Sequence, residues 1–182
     1  MDYHEKTVLL KNGKICTIRR GKESDAELLI EYLKVTAAET PYLTRTLDEC
    51  DIPLEEEREI IREKNKADDA LNLLAFVDGR HAGNCAFNPA DDGSMLSHRC
   101  CIGIALCREF WGMGIGSALM EEILCAAKAA GYERAELEVV SDNEPAIALY
   151  RKFGFETMGT IPEGIKYKDG TYADFLFMTK RL

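Results

Sequence analysis

Apolar positions along this chain alternate between two periods, and the change of period marks out the elements. Val8, Leu9 and Leu10, then Ile15, Cys16 and Ile18, flank Asn12-Gly13. Asn-Gly tolerates the positive φ of a type I′ turn, so Thr7 to Arg19 reads as a hairpin or as a frayed tail followed by one strand. From Ser24 the spacing becomes helical. Ala26, Leu29, Ile30 and Leu33 mark one face behind a Ser24 and Glu27 capping box, which predicts a helix from about Asp25 to Ala38, ended by Pro41. Glu39 to Cys50 is irregular and mixed in polarity, a surface loop or the wall of a substrate pocket. Asp51 and Pro53 start a second helix with Leu54, Ile60 and Ile61 available for burial. Glu55, Glu56 and Glu57 then lie near the positive end of its dipole and read as a solvated first turn.

The period then shortens. Leu71 to Val77 and Ala82 to Phe87 are apolar runs separated by Asp78-Gly79, a hairpin signal, and Asn88 to Ser94 forms the next turn. Met95 to Leu106 is long enough for a third central strand, with Gly103 where a bulge or a close backbone approach is tolerated. Ile115, Leu119, Ile123 and Ala127 restore helical spacing as far as Gly131. Arg134 to Val140 sets Ala135, Leu137 and Val139 against Glu136 and Glu138, a strand with one buried face. Ser141-Asp142-Asn143 caps a short helix with Pro145 in its first turn and Ala146, Leu149, Tyr150 and Phe153 on one face, stopped by Gly154. Two β segments flank Asp169-Gly170, the last being Tyr172 to Thr179. With no repeat or linker in between, residues 1–182 read as one mixed α/β domain, 1–14 being an N-terminal strand or tail.

Composition narrows the class. Of 182 residues, 46% are hydrophobic and 30% charged, typical of a globular chain. No apolar run reaches membrane-span length and lysines and acids interrupt the N-terminal stretch, so the expectation is a cytoplasmic protein without membrane association. Seven cysteines without Cys-x-x-Cys spacing argue against a zinc site or a disulfide framework, so no metal is expected. A net charge of −9 disfavours nucleic acid, and an acidic chain that holds a polyanion must do so through local dipoles.

Such dipoles are available in the stretch CREFWGMGIGSALM, Cys107 to Met120, where a strand passes through Gly112, Gly114 and Gly116 into a helix. Backbone without Cβ atoms curls tightly there and turns several N–H groups toward one bound group at the positive end of the helix, a cradle for phosphate or pyrophosphate. A mobile glycine turn is the plainer reading. A P-loop requires Gly-Lys-Ser/Thr, and here Gly114 is followed by Ile115-Gly116-Ser117. A dinucleotide fingerprint requires a third glycine where Ser117 stands, although Glu136 and Glu138 lie near the place of its ribose-binding acid.

The stretch WGMGIG resembles the pyrophosphate loop of the GCN5-related N-acetyltransferases, Gln/Arg-x-x-Gly-x-Gly/Ala. SDNEPAIALYRKFGF, Ser141 to Phe155, is similar to that family's following motif, in matching order and spacing. Trp111 departs from the pattern at the place of Gln or Arg, which leaves recognition there to backbone N–H groups. The resemblance covers nearly the whole chain and implies a mostly antiparallel central β-sheet, splayed between two strands and flanked by helices. It makes acetyl-CoA the cosubstrate. Leu106 would pair with the pantetheine arm; Trp111, Gly112, Met113, Gly114, Ile115, Gly116 and Ser117 would hold the pyrophosphate; Asn143 would contact the cofactor arm and Tyr150 would stand near the thioester sulfur.

The implied reaction is direct attack by an amine of a small molecule or protein in a ternary complex, with Tyr150 assisting thiolate departure. Where some relatives place a glutamate base, this chain has Arg99-Cys100-Cys101. Glu39, Asp174, His98 or a water chain are then the candidates for removing the amine's proton. A homodimer is compatible with this reading. The alternative is a non-catalytic module that binds acetyl-CoA as a sensor or structural ligand.

Overall fold

The computed structural model describes residues 3–91 and 93–182. Asn12-Gly13 does close a hairpin. Gly13 takes φ 80, and β1 (Lys6–Leu9) pairs antiparallel with β2 (Ile15–Arg20), Lys6 opposite Ile18. Next come α1 (Ala26–Glu39), α2 (Leu54–Lys66), β3 (Leu71–Val77), β4 (Arg80–Pro89), β5 (Arg99–Leu106), α3 (Ile115–Ala129), β6 (Arg134–Val140), α4 (Glu144–Lys152), β7 (Glu156–Lys166) and β8 (Tyr172–Arg181). They build one eight-stranded sheet in the order β1-β2-β3-β4-β5-β6-β8-β7.

Among the described residues only the β5–β6 neighbours are parallel, and their pairing is short: Arg99, Cys100 and Cys101 lie opposite Arg134, Ala135 and Glu136. Beyond these pairs the two strands part. β4 follows β5 to Gly83–Leu106, and β8 follows β6 to Val140–Phe175, so each rim of the gap is held by its outer neighbour. A sheet this antiparallel, with no parallel strands wound on both sides, excludes the dinucleotide alternative.

The helices cover opposite faces. The single hydroxyl hydrogen of Tyr32 in α1 is shared between Asn84 Oδ1 at 2.7 Å and the Ala105 carbonyl at 2.9 Å, fixing α1 over β4 and β5. Strand alternation turns Ile104 and Leu106 to the other face, where α3 packs with Ile115, Leu119, Met120 and Ile123 buried.

Several expectations are corrected by packing. Asp25, rather than the Ser24 and Glu27 pair, caps the first helical turn: its carboxylate accepts from Lys22 N–H at 2.7 Å and pairs with Arg19 at 2.7 Å. Met95 to Leu106 is not one strand, because Ser94–Leu96 forms a 3-10 turn and β5 begins at Arg99. Gly103 is regularly paired, opposite Ala86; the bulge lies in β4, where the register slips between Ala75–Gly83 and Phe76–His81. Gly83 has φ 149, and a Cβ there would stand 2.3 Å from the Ala105 carbonyl oxygen, so only glycine fits beside the end of β5. In α2, Leu54 and Ile60 stay exposed, whereas Glu57 is buried. Glu136 is buried too. Arg99 Nε and Nη2 each donate to its carboxylate at 2.9 Å, closing the last paired rung before the strands part.

The fold also carries a pH dependence. His81 sits between Tyr32 and Phe76, ring centroids 4.8 and 5.3 Å away, and burial pushes its imidazole down to about 4. The unfolded chain binds this proton near pH 6.5 and the folded chain does not. Stability from this group is therefore complete above pH 6.5 and lost as pH falls toward 4, on the order of 3 kcal/mol in all. Urea unfolding at pH 7 and pH 4.5 measures it, and a His81→Leu variant should lose that slope.

Candidate active site

The gap between β5 and β6 has backbone rims. Cys107 N–H donates to the Ala82 carbonyl at 3.0 Å and Ala90 N–H to the Arg99 carbonyl at 3.0 Å, which places the odd-numbered backbone groups of β5 against β4. Alternation then turns those of Ile104 and Leu106 into the gap. On β6, Leu182 N–H to the Glu133 carbonyl and Ser141 N–H to the Asp174 carbonyl, both 2.9 Å, turn Glu138 and Val140 into it from the other side. An extended amide-bearing arm lying between the rims finds donors and acceptors on both.

At the wide end of the gap stands the glycine loop. Gly112 has φ 75, and Gly114, with φ 93, is the left-handed residue that opens α3. The first helical hydrogen bond runs from Ala118 N–H to the Gly114 carbonyl at 3.1 Å, so the amides of Ile115, Gly116 and Ser117 point out of the helix end. Trp111 also acts through its side chain: indole Nε1 donates to the Leu106 carbonyl at 2.8 Å, and the Arg108 guanidinium lies 5.5 Å over its ring. The indole ties the loop to the strand end and leaves Leu106 its N–H for a bound group. Lys152 Nζ, from the last turn of α4, donates to Ser117 Oγ at 2.9 Å and brings an ammonium to the same helix end.

Gly116 gathers these elements. A Cβ on it would lie 3.3 Å from Leu149 Cδ2 and 3.6 Å from Leu106 Cδ1, so its absence lets α4 and the end of β5 close on α3. That closure carries Tyr150 in, 7% exposed, its ring 6.0 Å from that of Phe155. Burial, with the nearby Cys85, pushes the phenol well above its ordinary range, so it keeps its proton. Asn143 caps α4, Oδ1 accepting from Ala146 N–H at 3.3 Å, which leaves its amide NH2 to face outward.

The sequence-derived candidates for the base are scattered. Glu39, at the end of α1, accepts from Arg108 N–H at 2.7 Å and so anchors the segment leading to the glycine loop. Asp174 accepts from Glu163 N–H at 2.9 Å, holding a residue of β7 whose φ is 52. His98 is exposed and precedes β5, about 26 Å along the strand from Leu106 at 3.3 Å per residue. Glu138 is a carboxylate at the rim of the gap, exposed on β6 two residues past the last paired rung. The alternation of Arg134 to Val140 already put Glu136 and Glu138 on one face; which of them faces open space depends on where the pairing stops. Tyr42, from the loop after α1, donates to the Asp142 carbonyl at 3.3 Å and ties that loop to the turn after β6. Burial, with Glu39 and Glu109 adding to it, pushes the Cys107 thiol up to about 11, leaving it protonated and a poor nucleophile at neutral pH. Among the described residues no cluster of three or more His, Cys, Asp or Glu side chains is arranged to hold a metal.

Comparison with known proteins adds the family. The model of the acetyltransferase (GNAT) family matches residues 34–155, which include the gap, the glycine loop and α4. The chain belongs to this family. The GNAT acetyltransferase from Streptococcus pneumoniae superposes with a TM-score of 0.87 at 29% identity, covering 92% of this chain and 99% of that one. Over 111 residues this GNAT chain is 34% identical to the L-amino acid N-acetyltransferase AaaT of Escherichia coli strain K12, covering 59% of this chain and 66% of that protein. It thus spans two thirds or less of the curated relatives it matches. The yncA protein of Salmonella typhimurium, solved with its cofactor acetyl-CoA, shares the fold at a TM-score of 0.80 and 17% identity, covering 92% of this chain and 94% of that one.

Proposed function

We propose that this GNAT chain, as one N-acetyltransferase domain, moves the acetyl group of acetyl-CoA to an amine by direct attack. The observation that carries the reading is the parting of β5 and β6 directly before a glycine loop whose amides converge at the start of α3. Acetyl-CoA fits that arrangement: a polyanionic pyrophosphate meets the helix end and Lys152, and an amide-bearing arm meets the rims of the gap. It supplies the acetyl group as an activated thioester.

The chain's own residues do the rest. Leu106 N–H is offered to the carbonyl oxygen as negative charge gathers on it. Glu138 takes the proton that the attacking amine loses. Tyr150 donates a hydrogen bond to the departing sulfur. Full proton transfer from so weakly acidic a phenol to a thiolate, whose conjugate acid has a pKa of about 8.5, runs uphill, so the phenol stabilises the leaving group by hydrogen bonding. Tyr150→Phe should therefore leave acetyl-CoA affinity unchanged and slow single-turnover transfer by about 10- to 100-fold, the worth of a hydrogen bond to a charged group. Equal single-turnover rates from pH 6 to 9 would make Tyr150 a packing residue only.

Cys101 and Cys125 are exposed and the other cysteines are buried, all as free thiols, which supports a reducing, cytoplasmic setting. An amine panel tests the function itself: acetyl-CoA is mixed with free amino acids, alkylamines, polyamines and N-terminal peptides, and thiol release is followed. Release that depends on one class of amine supports transfer. Tight acetyl-CoA binding with no release from any of them would favour the sensor.

A further inference from the structure

Away from the gap, α1 and α2 enclose a cavity of about 220 Å³ against β3 and β4. Its walls are more polar than a helix–sheet interface requires. Glu57 and Lys64 of α2, Arg45 of the preceding loop, Asn72 of β3 and Asn84 of β4 all line it. Asn72 Oδ1 is buried with no hydrogen-bond partner. Glu57, Lys64 and Arg45 influence one another electrostatically, yet among the described residues none of the three is held in an ion pair. Two cations thus face one carboxylate, in a chain whose net charge is −9. Burial raises the pKa of Glu57 and lowers that of Lys64, so both charges are disfavoured while they stand unpaired. Glu57 and Asn72 Oδ1 are buried, and such groups left without partners are costly unless something enters to meet them; Lys64 is half-buried and Arg45 exposed at the rim.

The cavity is level with the reaction site. Ala86, on its floor, is paired with Gly103 of β5, which is exposed and has nothing within 4 Å of where a Cβ would stand. Counting two residues on from the Cys101–Glu136 rung places Gly103 level with Glu138 across the gap. Ala86, Gly103 and Glu138 therefore form one track across the sheet, on the face α3 does not cover. The Ala86 to Gly103 step is one strand spacing of about 5 Å, and the step from Gly103 to Glu138 is wider because β5 and β6 have parted there, so the acceptor reaches across more than two strand spacings.

Resting on the acetyl-transfer reading above, we propose that the acceptor is a small amino carboxylate, its amine at Glu138 and its carboxylate tail lying over Gly103 into the cavity, paired with Lys64 and Arg45. Asn72 Oδ1 accepts from a donor on the tail where the acceptor carries one. At one end of the cavity Asn65 Nδ2 donates to the Gly21 carbonyl at 2.9 Å, tying α2 to the chain that leads into α1.

The test is thiol release from acetyl-CoA with a matched series: 5-aminopentanoate and 6-aminohexanoate, their amides, and pentylamine. The parent should favour the carboxylates by at least tenfold in kcat/KM. Lys64→Gln should collapse that ratio through KM for the carboxylate, and Glu57→Gln, which removes the opposing charge, should preserve or raise it. Calorimetry with acetyl-CoA alone should give the same affinity for all three proteins. Equal use of carboxylate, amide and alkylamine by the parent overturns the cavity assignment while leaving acetyl transfer standing, as does a ratio unmoved by Lys64→Gln. Thiol release with none of the series or of the wider amine panel, despite acetyl-CoA binding, overturns the transfer reading and this inference with it.

Discussion

Replacing Glu138 by glutamine should slow acetyl transfer about 10²- to 10³-fold at neutral pH while leaving acetyl-CoA affinity unchanged. The substitution keeps shape and hydrogen-bonding reach but removes the ability to take a proton. An alkylamine with a pKa of about 10.4 is almost wholly protonated at pH 7, so the step depends on a local acceptor. Glu138 is an exposed carboxylate at the rim of the gap, past the rung that Arg99 and Glu136 close. Raising the pH supplies neutral amine from solution, and the deficit should shrink steadily toward pH 10. Single-turnover measurements isolate the effect from product release. A variant equal to the parent at pH 7 would mean that the proton leaves through water or through Glu39.

A comparable loss, this time in binding, is expected from Gly114→Val. Gly114 opens α3 at φ 93, a conformation that a β-branched residue rarely adopts. Valine would force the loop out of the turn that aims its amides at one point. Acetyl-CoA affinity should fall at least about 100-fold, in keeping with several lost charge-assisted hydrogen bonds. The fold should survive, because the nearest atom to the new Cβ is Lys11 Cγ at 3.8 Å. Calorimetry and circular dichroism separate the two effects. Parent-like affinity with a native spectrum would remove the pyrophosphate from this loop.

The parts of this molecule that were legible in the sequence are those set by local chemistry. Asn12-Gly13, Asp78-Gly79, the amphipathic run of α3, the Asn143 cap and the glycine loop each depend on residues within a turn or two. What escaped depends on partners far along the chain. Glu57 looked like a solvated helix start because α2 alone presents it to water; burial comes from α1 and β3 closing over it. Glu136 looked exposed by alternation until Arg99, from a strand 37 residues away in sequence, paired with it. Gly103 carries the local signal for a bulge or a close backbone approach, yet the glycine of the central strands pressed against a neighbouring backbone is Gly83. Glu138 and Lys152 could not be placed in the site before the parting of β5 and β6, and the approach of α4 to α3, were known.

Amide hydrogen exchange with and without acetyl-CoA tests the central claim, that the gap and the glycine loop together hold the cosubstrate. Saturating acetyl-CoA should slow exchange in segments 104–120 and 138–143, with little change in 54–66 of α2. Unchanged exchange across 104–120 in protein shown by calorimetry to be saturated, or protection centred instead on α2, would contradict it.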